Sequence, residues 1–399
     1  MFLLPVAFVQ RTDEPGFQAQ TRNFRTTFTF LFPELVRRGI KPGLVSLNNN
    51  VRQVEYGWNY LQETGFAGRM DARLFRRTMG RGHWFHQSLQ FLMNLARLFR
   101  VMKRSSPRVF YGYNDVGALY GAVLKLFFSF RLVYDMRGDR LDEMKEQGAP
   151  QWRISVYRVL RKYTLRAADL VFTVSRDFEE RDQVKQHLPK FNFFDARRFY
   201  FDASEADEMR RQLGLEDRFV LVYSGTDKFY QMIPAMVAFF ARFREYCPEA
   251  FLMINTPRPS QIFKEELEKH RIPPTAYGMF HPDPDSLNRY QMVADMGLLL
   301  REDRRLNHKA FPTKFSEYLG SGVPVLITPY VHSLPEMVKG HGLGEIWNME
   351  QSPDHIIPRM LEYRNNQQAK ERCAAYARQH LSWQSKAPRL AERLESMVR

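Results

Sequence analysis

Short apolar runs alternate with longer segments of helical spacing along the whole chain. Each run has the length of a buried strand, and most are followed by a polar turn and by apolar positions that repeat every three or four residues. The predicted strands are Phe2–Val9, Leu44–Leu47, Val109–Tyr111, Leu132–Tyr134, Asp169–Ser175, Phe219–Tyr223, Ala250–Asn255, Asp295–Leu300 and Val323–Ile327. This alternation predicts an α/β fold of doubly wound parallel sheets, in which ligands bind beyond the carboxyl ends of the strands.

The alternation is interrupted near residue 200. The stretch from Lys190 to Phe199 fits neither a strand nor a helix, and the next clear buried strand begins at Phe219. A chain of 399 residues is long enough to form two separate cores. We therefore expect one domain over residues 1–200 and a second over residues 201–380.

Candidate chemistry is concentrated in Leu298–Thr328, LLLREDRRLNHKAFPTKFSEYLGSGVPVLIT. The glycines Gly320 and Gly322 end a helix, which places residues 311–314 at its amino end. Free backbone amides, the helix dipole and Lys314 together suit a phosphate or diphosphate there. Glu317, about one turn further along, could accept hydrogen bonds from the two hydroxyls of a ribose. An ordinary helix between two strands, with Glu317 solvated, explains the same spacing.

A second candidate phosphate site follows the strand that ends near Tyr223. The sequence there is Ser224-Gly225-Thr226-Asp227-Lys228, a glycine turn between a strand and a helix with a lysine close by. Such turns bind diphosphates through backbone amides and an added cation. Gly225 and Lys228 are therefore predicted to bind the same anion as Lys314.

The segment FPTKFSEYLGSGVPVL resembles the nucleotide-sugar signature of retaining GT-B glycosyltransferases of the GT4 type. That signature has a Glu, seven residues, a second Glu and then a Gly-x-Pro-Val run. The second Glu matches Glu317, which the resemblance implies binds the donor ribose, whereas Lys309 stands where the first Glu is usual. A subgroup of these enzymes adds further positions that this chain matches, namely Arg301, Asn307, Pro312 and Lys314.

The resemblance implies a GT-B fold, with two Rossmann-like doubly wound parallel-sheet domains facing across a cleft. It also implies that residues 381–399 form a helix returning to the first domain, and that the donor diphosphate is neutralised by Lys228, Lys314 and the amides of Thr313 and Lys314. Donor-binding residues are thus predicted to be Gly225, Lys228, Arg301, Asn307, Pro312, Thr313, Lys314 and Glu317.

Three residues are predicted to be catalytic: Asp135, Arg137 and Lys309. Asp135 and Arg137 belong to the charged turn after the strand at Leu132–Tyr134, where a parallel sheet presents its site. Arg137 stands about where many GT4-like enzymes have a His facing the transferred sugar. Asp135 could equally be a structural carboxylate. In the loop after the first strand, Gln18, Gln20 and Arg22 are further possible contacts by resemblance.

Charge is divided unevenly between the two halves of the chain. Residues 1–200 contain 33 Lys and Arg against 18 Asp and Glu, whereas residues 201–399 contain 26 of each, so the first half holds the whole excess of +15. A basic half attracts a polyanion, either a nucleic acid or an anionic membrane face, although a basic surface can also serve solubility alone. We expect the arginine-rich segment Arg69–Arg81 to contact the membrane, and the apolar helix Trp84–Met102 to pack against a sheet.

These observations together predict a glycosyltransferase that moves a sugar from a nucleotide-diphosphate sugar to a glycan or lipid-linked acceptor in cell-surface polysaccharide synthesis. We expect no metal or other cofactor, because no Asp-x-Asp motif lies in a setting that suggests a metal site. Two cysteines without metal-ligand spacing, and no apolar run long enough to span a bilayer, fit a cytoplasmic protein bound to a membrane face. We expect no nucleic-acid partner.

Two alternatives remain open at this point. One is a nucleotide-sugar 2-epimerase of the same fold, which would need acid–base carboxylates and a histidine and would leave the basic first half unexplained. The other is a basic, non-catalytic nucleic-acid-binding protein with aromatic platforms beside its cations. That second interpretation gives Glu317 and the Pro312-Thr313-Lys314 turn no role.

Overall fold

The structure, a computed structural model, describes residues 2–5, 29–40, 43–48, 71–76, 84–176, 178 and 183–399. Two parallel sheets organise these residues into two compact units. The first unit comprises residues 1–190 and 387–399, and the second comprises residues 191–386. The boundary therefore falls between Lys190 and Phe191, earlier than the predicted position near residue 200.

The first unit contains a seven-stranded parallel sheet with strand order β3-β2-β1-β4-β5-β6-β7. Its strands are β1 (Phe2–Pro5), β2 (Gly43–Asn48), β3 (Asp71–Arg76), β4 (Val109–Tyr113), β5 (Arg131–Asp135), β6 (Leu170–Thr173) and β7 (His187–Pro189). Its helices are α1 (residues 29–37), α2 (Trp84–Ser105), α3 (Asn114–Leu124), α4 (Arg140–Glu146) and α5 (Gln151–Ala167).

Apolar side chains cover both faces of this sheet. On one face, Leu98 and Val101 of α2 pack with Leu132 of β5. On the other, Leu31 and Phe32 of α1 pack with Val109 and with apolar residues of the carboxyl-terminal helix. Strands buried on both sides need near-continuous apolar sequence, which explains why the central strands could be recognised as short apolar runs.

The second unit contains a six-stranded parallel sheet with order β10-β9-β8-β11-β12-β13. Its strands are β8 (Val220–Ser224), β9 (Phe251–Asn255), β10 (Tyr277–Phe280), β11 (Met296–Leu299), β12 (Val325–Ile327) and β13 (Gly344–Ile346). The strand order reverses between β8 and β11, and such a switch point is where doubly wound sheets bind ligands.

Helices connect these strands. They are α6 (Ala203–Leu213), α7 (Ile233–Tyr246), α8 (Gln261–Lys269), α9 (Leu287–Met292), α10 (Arg305–His308), α11 (Thr313–Gly320), α12 (Ser333–His341), α13 (Ile357–Leu361) and α14 (Gln367–His380). A single-turn 3₁₀ helix, Phe229–Gln231, follows β8.

The carboxyl-terminal helix α15 (Trp383–Val398) belongs to both units. In the second unit, the Trp383 amide donates to the Phe194 carbonyl at 2.9 Å. From Ala387 onward the helix belongs to the first unit, where Ala391 and Leu394 are buried and Arg38 pairs with Glu395 at 2.9 Å. Its last part thus completes the core of the first unit.

Three local features complete the fold. The described part of the arginine-rich segment Arg69–Arg81 is strand β3, hydrogen-bonded to β2, and its contact with a membrane stays a prediction. Helix α5 begins at Gln151, with Pro150 at its N-cap. Helices α13 and α14 are separated where Asn365 adopts φ +49° and the Asn366 side chain caps α14.

Among the helices within the described ranges, none combines the length and apolarity that crossing a bilayer requires.

Candidate functional site

The carboxyl ends of β8 and β11 meet at the switch point of the second sheet. Residues 224–228 continue from β8, and Arg301 follows β11 after one residue. The amino end of α11, with Thr313 and Lys314 as its first two residues, reaches the same place. The fold therefore brings together residues that are far apart in sequence and were predicted to bind one ligand.

Two cations converge on one uncharged acceptor at this point. Lys314 Nζ lies 2.8 Å from Gln231 Oε1, and a terminal guanidinium nitrogen of Arg301 lies 3.0 Å from the same oxygen. Within the ranges that the structure describes, neither cation forms an ion pair with a carboxylate. The Glu317 carboxylate, one turn further along α11, acts electrostatically on Lys314 without forming an ion pair, so the two cations still exceed the nearby negative charge at the edge where the sheet binds ligands.

The Lys314 ammonium is held between an aromatic ring and a glycine. Its Nζ lies 3.9 Å from the ring centroid of Tyr223, a cation–π contact. A Cβ placed on Gly225 would come within 2.5 Å of Lys314 Nζ, and Gly225 has φ +151°, which side chains rarely adopt. Glycine is therefore required at this turn both for the backbone and for the lysine. Burial, and then the neighbouring Arg301 guanidinium, lower the pKa of Lys314 well below its usual range.

Arg301 is fixed from two sides and is only 6% exposed. Its backbone amide donates to Thr328 Oγ1 at 2.9 Å, and Thr328 Oγ1 donates to its carbonyl at 2.7 Å, which ties the ends of β11 and β12 together. Its guanidinium carbon lies 5.6 Å from the ring centroid of Tyr230. Burial lowers the pKa of Arg301, as expected for a cation without a counterion.

Lys228 lies at the exposed rim of this site. Its Nζ is 5.9 Å from the ring centroid of Tyr230, the ring that Arg301 also approaches. The neighbouring Asp227 accepts a hydrogen bond from Ser260 at 3.1 Å, which anchors the loop after β8. Lys228 is thus free to move toward a ligand, whereas Arg301 is fixed.

Helix α11 is locked in place by its polar residues. Tyr318 Oη accepts the Ser224 amide at 2.7 Å, and Ser316 Oγ donates to the Asn192 carbonyl at 2.9 Å. Glu317 lies between them in sequence and is 7% exposed, so it is not the solvated side chain of the alternative interpretation. The amides of Thr313 and Lys314 belong to the first turn, where a helix has no intrahelical acceptors. Pro312 occupies the N-cap.

The remaining donor-site candidates lie in the loop between β11 and α11. Asn307 is buried, and its side-chain amide donates to the Glu302 carbonyl at 2.9 Å, so it shapes the loop. Lys309 is half-buried at the carboxyl end of α10. Direct contact of either residue with a donor stays a prediction.

In the first unit, the predicted catalytic residue Asp135 is fully buried at the end of β5. Its Oδ2 accepts from Lys190 Nζ at 2.5 Å and from Tyr111 Oη at 2.6 Å. Burial alone would raise the pKa of Asp135, but the charges of Lys190 and Arg137 outweigh it and hold the pKa below its usual range. Burial lowers the pKa of Lys190 to about 8. This arrangement fits the structural interpretation of Asp135, since the carboxylate is not exposed to a substrate.

Arg137 lies on the more accessible side of the same cluster. One of its terminal nitrogens is 3.7 Å from Asp135 Oδ1, and its guanidinium carbon is 5.7 Å from the Tyr113 ring centroid. Its role toward a sugar stays a prediction. The proposed contacts Gln18, Gln20 and Arg22 lie outside the described residues.

No sequence pattern marked Gln231, Tyr223 or Tyr230 as residues of this site. Gln231 lies in the 3₁₀ helix after the glycine turn, where no spacing rule marks a ligand. The signal available was the sequence Phe229-Tyr230-Gln231, in which aromatic and amide side chains follow a glycine turn directly. Aromatic rings beside lysine and arginine are a usual way to hold cations.

Comparisons with known proteins agree with this architecture. Residues 26–186 match the family described as "Glycosyl transferase 4-like domain". No curated protein matches the chain in sequence. The match and the fold confirm the resemblance to GT-B glycosyltransferases and the predicted enzyme class, glycosyltransferase. A non-catalytic nucleic-acid-binding protein is thereby not supported.

Solved structures share the fold over nearly the whole chain. A glycosyltransferase from Rickettsia africae has 10% identity and a TM-score of 0.71, covering 100% of this chain and 98% of that one. HepE from Anabaena, solved in complex with UDP-glucose, has 14% identity and a TM-score of 0.67 with 99% of both chains covered. A putative UDP-N-acetylglucosamine 2-epimerase from Listeria monocytogenes has 11% identity and a lower TM-score of 0.54, covering 100% and 94%.

Proposed function

We propose that this glycosyltransferase moves a sugar from a nucleotide-diphosphate sugar to a glycan or lipid-linked acceptor in cell-surface polysaccharide synthesis. The observation that carries the proposal is the pair of cations, Arg301 and Lys314, sharing Gln231 Oε1 at the switch point of the second sheet. Two adjacent positive charges favour a bound anion, and a diphosphate supplies two negatively charged phosphate groups.

The chemistry follows from what the leaving group requires. When the bond between the sugar and the diphosphate breaks, negative charge builds on the diphosphate oxygens. Fixed cations and helix-terminal amides stabilise that charge without rearranging, which is the largest contribution such sites usually make. We assign this role to Arg301, Lys314 and the amides of Thr313 and Lys314, with Lys228 closing from the rim and no metal ion required.

Glu317 is assigned to the nucleotide ribose. It is buried on α11, the helix whose first turn carries Lys314, so ribose and diphosphate can be recognised by one rigid element. A carboxylate that accepts from two hydroxyls makes charge-assisted hydrogen bonds, which are stronger than neutral ones. The Anabaena structure contains UDP-glucose, which supports a uridine nucleotide as the first donor to test.

The acceptor is proposed to bind the first unit, whose basic excess suits a lipid-linked substrate at an anionic cytoplasmic membrane face. Retention of the anomeric configuration is proposed on the resemblance. Lys309, in place of the usual acidic residue, is proposed to contact the donor sugar, and Arg137 to face the transferred sugar from the acceptor side.

The donor assignment is tested by thermal stabilisation with UDP, GDP and CMP, with RNA as the comparison. One nucleotide is expected to raise the melting temperature, and to raise it further with the logarithm of its concentration above Kd, whereas RNA is not. Incubating the matching nucleotide-sugar without acceptor separates the 2-epimerase alternative, since an epimerase would convert the sugar and a transferase would not.

Glu317→Ala is expected to weaken binding of that nucleotide by roughly tenfold or more while the protein stays folded. Glu345→Ala is the matched control, because Glu345 is a partly buried glutamate of the same unit, on strand β13, and pairs with Arg359 at 3.1 Å. Calorimetric titration gives both affinities. Equal affinities for wild type and Glu317→Ala would contradict the assignment.

A further inference from the structure

Helix α5 turns an apolar stripe toward solvent. Trp152, Val156, Val159, Leu160 and Tyr163 are all exposed, with Trp152 at 58% and Val159 at 68%. Their spacing places them within an arc of about 100° on the helix surface. A helix that packs on a soluble domain normally presents such a stripe to the core.

The buried face of the same helix combines the apolar side chains of Ile154 and Leu165 with polar contacts. Arg161 is buried and pairs with Asp139 at 2.6 Å, and Tyr157 Oη donates to Asp115 at 2.6 Å. These contacts fix the rotation of α5 about its axis through hydrogen bonds and an ion pair. The apolar stripe is therefore held outward by specific contacts.

The exposed apolar surface continues beyond α5. Leu126 and Phe127, in the turn between α3 and β5, are 69% and 64% exposed. That turn lies at the carboxyl end of α5, because Lys125 Nζ donates to the Ala167 carbonyl at 2.8 Å. We call this surface the α5 face, defined by Leu126, Phe127, Trp152, Val156, Val159, Leu160 and Tyr163.

Basic side chains border the α5 face. Every charged residue of α5 is Lys or Arg, and the exposed ones are Arg153, Arg158, Lys162 and Arg166. Arg153 lies on one side of the stripe and the other three on the opposite side. Helix α2, whose Phe99 contacts Phe127 at 5.7 Å between ring centroids, also contains no acidic residue.

We propose that the α5 face docks the protein on an anionic lipid bilayer. Aromatic and aliphatic side chains inserted at the headgroup boundary, with lysine and arginine at lipid phosphates, are how interfacial helices bind membranes. A second copy of the chain fits less well, since two such basic faces repel each other. The inference deepens the lipid-linked acceptor named under the proposed function, but vesicle binding needs neither donor nor catalysis and is tested separately.

The experiment is co-sedimentation of the full chain with phosphatidylcholine vesicles, with and without phosphatidylglycerol. Wild type is expected to bind the anionic vesicles at least tenfold more tightly than the neutral ones. Two triple variants are each expected to weaken that binding at least tenfold. The apolar variant combines Trp152→Ser, Val156→Ser and Val159→Ser. The charge variant combines Arg158→Gln, Lys162→Gln and Arg166→Gln.

The matched control changes apolar side chains of similar exposure in the second unit. Tyr246→Ser with Ile262→Ser, at residues 42% and 41% exposed, is expected to bind vesicles as wild type does. Quenching of tryptophan fluorescence by brominated lipid is expected to fall when Trp152 is replaced by Phe. Nucleotide affinity, measured in parallel, is expected to be unchanged in every variant, so a failed vesicle test and a failed donor test are distinguishable.

Four results would overturn the proposal. The first two are that wild type does not bind anionic vesicles, or that it binds neutral and anionic vesicles equally. The third is that the variants bind as tightly as wild type. The fourth is that RNA at physiological salt abolishes vesicle binding. Sedimentation equilibrium adds a further check, because a wild-type dimer that the apolar variant dissociates would show that a second copy covers the α5 face.

Discussion

At the end of β5 in the first unit, the Asp135 carboxylate and the Lys190 ammonium lie 2.5 Å apart, and both are buried. At the ends of β8 and β11 in the second unit, the cations Arg301 and Lys314 share one amide oxygen. Both clusters follow parallel strands, the position where such sheets hold their sites. In the first cluster, Asp135 and Lys190 neutralise each other within the protein, whereas the second leaves positive charge for another molecule to neutralise.

This difference separates a structural role from a binding role. A buried carboxylate that accepts from an ammonium and a phenol is held inside the protein, away from a substrate, and its removal leaves a buried charge alone. Two adjacent cations that form no ion pair destabilise the folded chain slightly, which is a pattern typical of ligand sites. The comparison predicts opposite effects on stability and binding when each cluster is changed.

The largest effect is expected from Asp135→Asn. This change removes the charge that Lys190 needs while keeping the shape of the side chain, so the free energy of unfolding is expected to fall by about 3–5 kcal/mol in urea titration. The double variant with Lys190→Met is expected to recover much of the loss, since it leaves no unpaired ammonium. Nucleotide affinity is expected to remain that of wild type. Lost sugar transfer at unchanged stability would instead favour a catalytic Asp135.

The two clusters were not equally predictable from sequence. Asp135 and Arg137 stood out because charged residues follow an apolar strand, but their partner Lys190 lies 55 positions further along the chain, and no pattern links the two. Only the pairing of β5, β6 and β7 brings them together. The sequence therefore located Asp135 without showing that Lys190 neutralises it.

Lys314 and Gly225 were located better, because each lies in a short strand–turn–helix segment with its own glycine or helix-start signal. Gln231, which both cations approach, was missed because an uncharged side chain in a 3₁₀ turn carries no such signal. The same limit applies to strand β13, where three residues at the sheet edge are too short and too polar to form an apolar run.

A smaller effect is expected from Lys314→Met, this time on binding. Loss of one charge-assisted contact to the diphosphate costs about 1.5–3 kcal/mol of binding free energy. Calorimetric titration is therefore expected to show nucleotide binding weakened roughly 10- to 100-fold. Stability is expected to stay constant or rise, because a lysine whose folded pKa lies below its unfolded value destabilises the fold while charged. Lys228→Met is the matched control, with a smaller loss expected because an exposed charge is screened. A large loss of stability in Lys314→Met would show that Lys314, like Asp135, has a structural role.

The smallest effect expected is a pH dependence of nucleotide binding that belongs to Lys314. Burial and the Arg301 charge lower the pKa of the free lysine, so it loses its proton at a pH where an ordinary lysine is still charged. A bound diphosphate favours the ammonium, so binding above that pKa takes up a proton, and affinity is expected to fall by up to about tenfold per pH unit as the pH rises through the lowered pKa. The terminal phosphate, with a second pKa of about 6, contributes no slope above neutral pH. Lys314→Arg keeps the charge at every pH tested and is expected to flatten the profile. If affinity falls with pH equally steeply for wild type and Lys314→Arg, a group other than Lys314 titrates. Lys314 would then not be the source of the pH-dependent charge at this site.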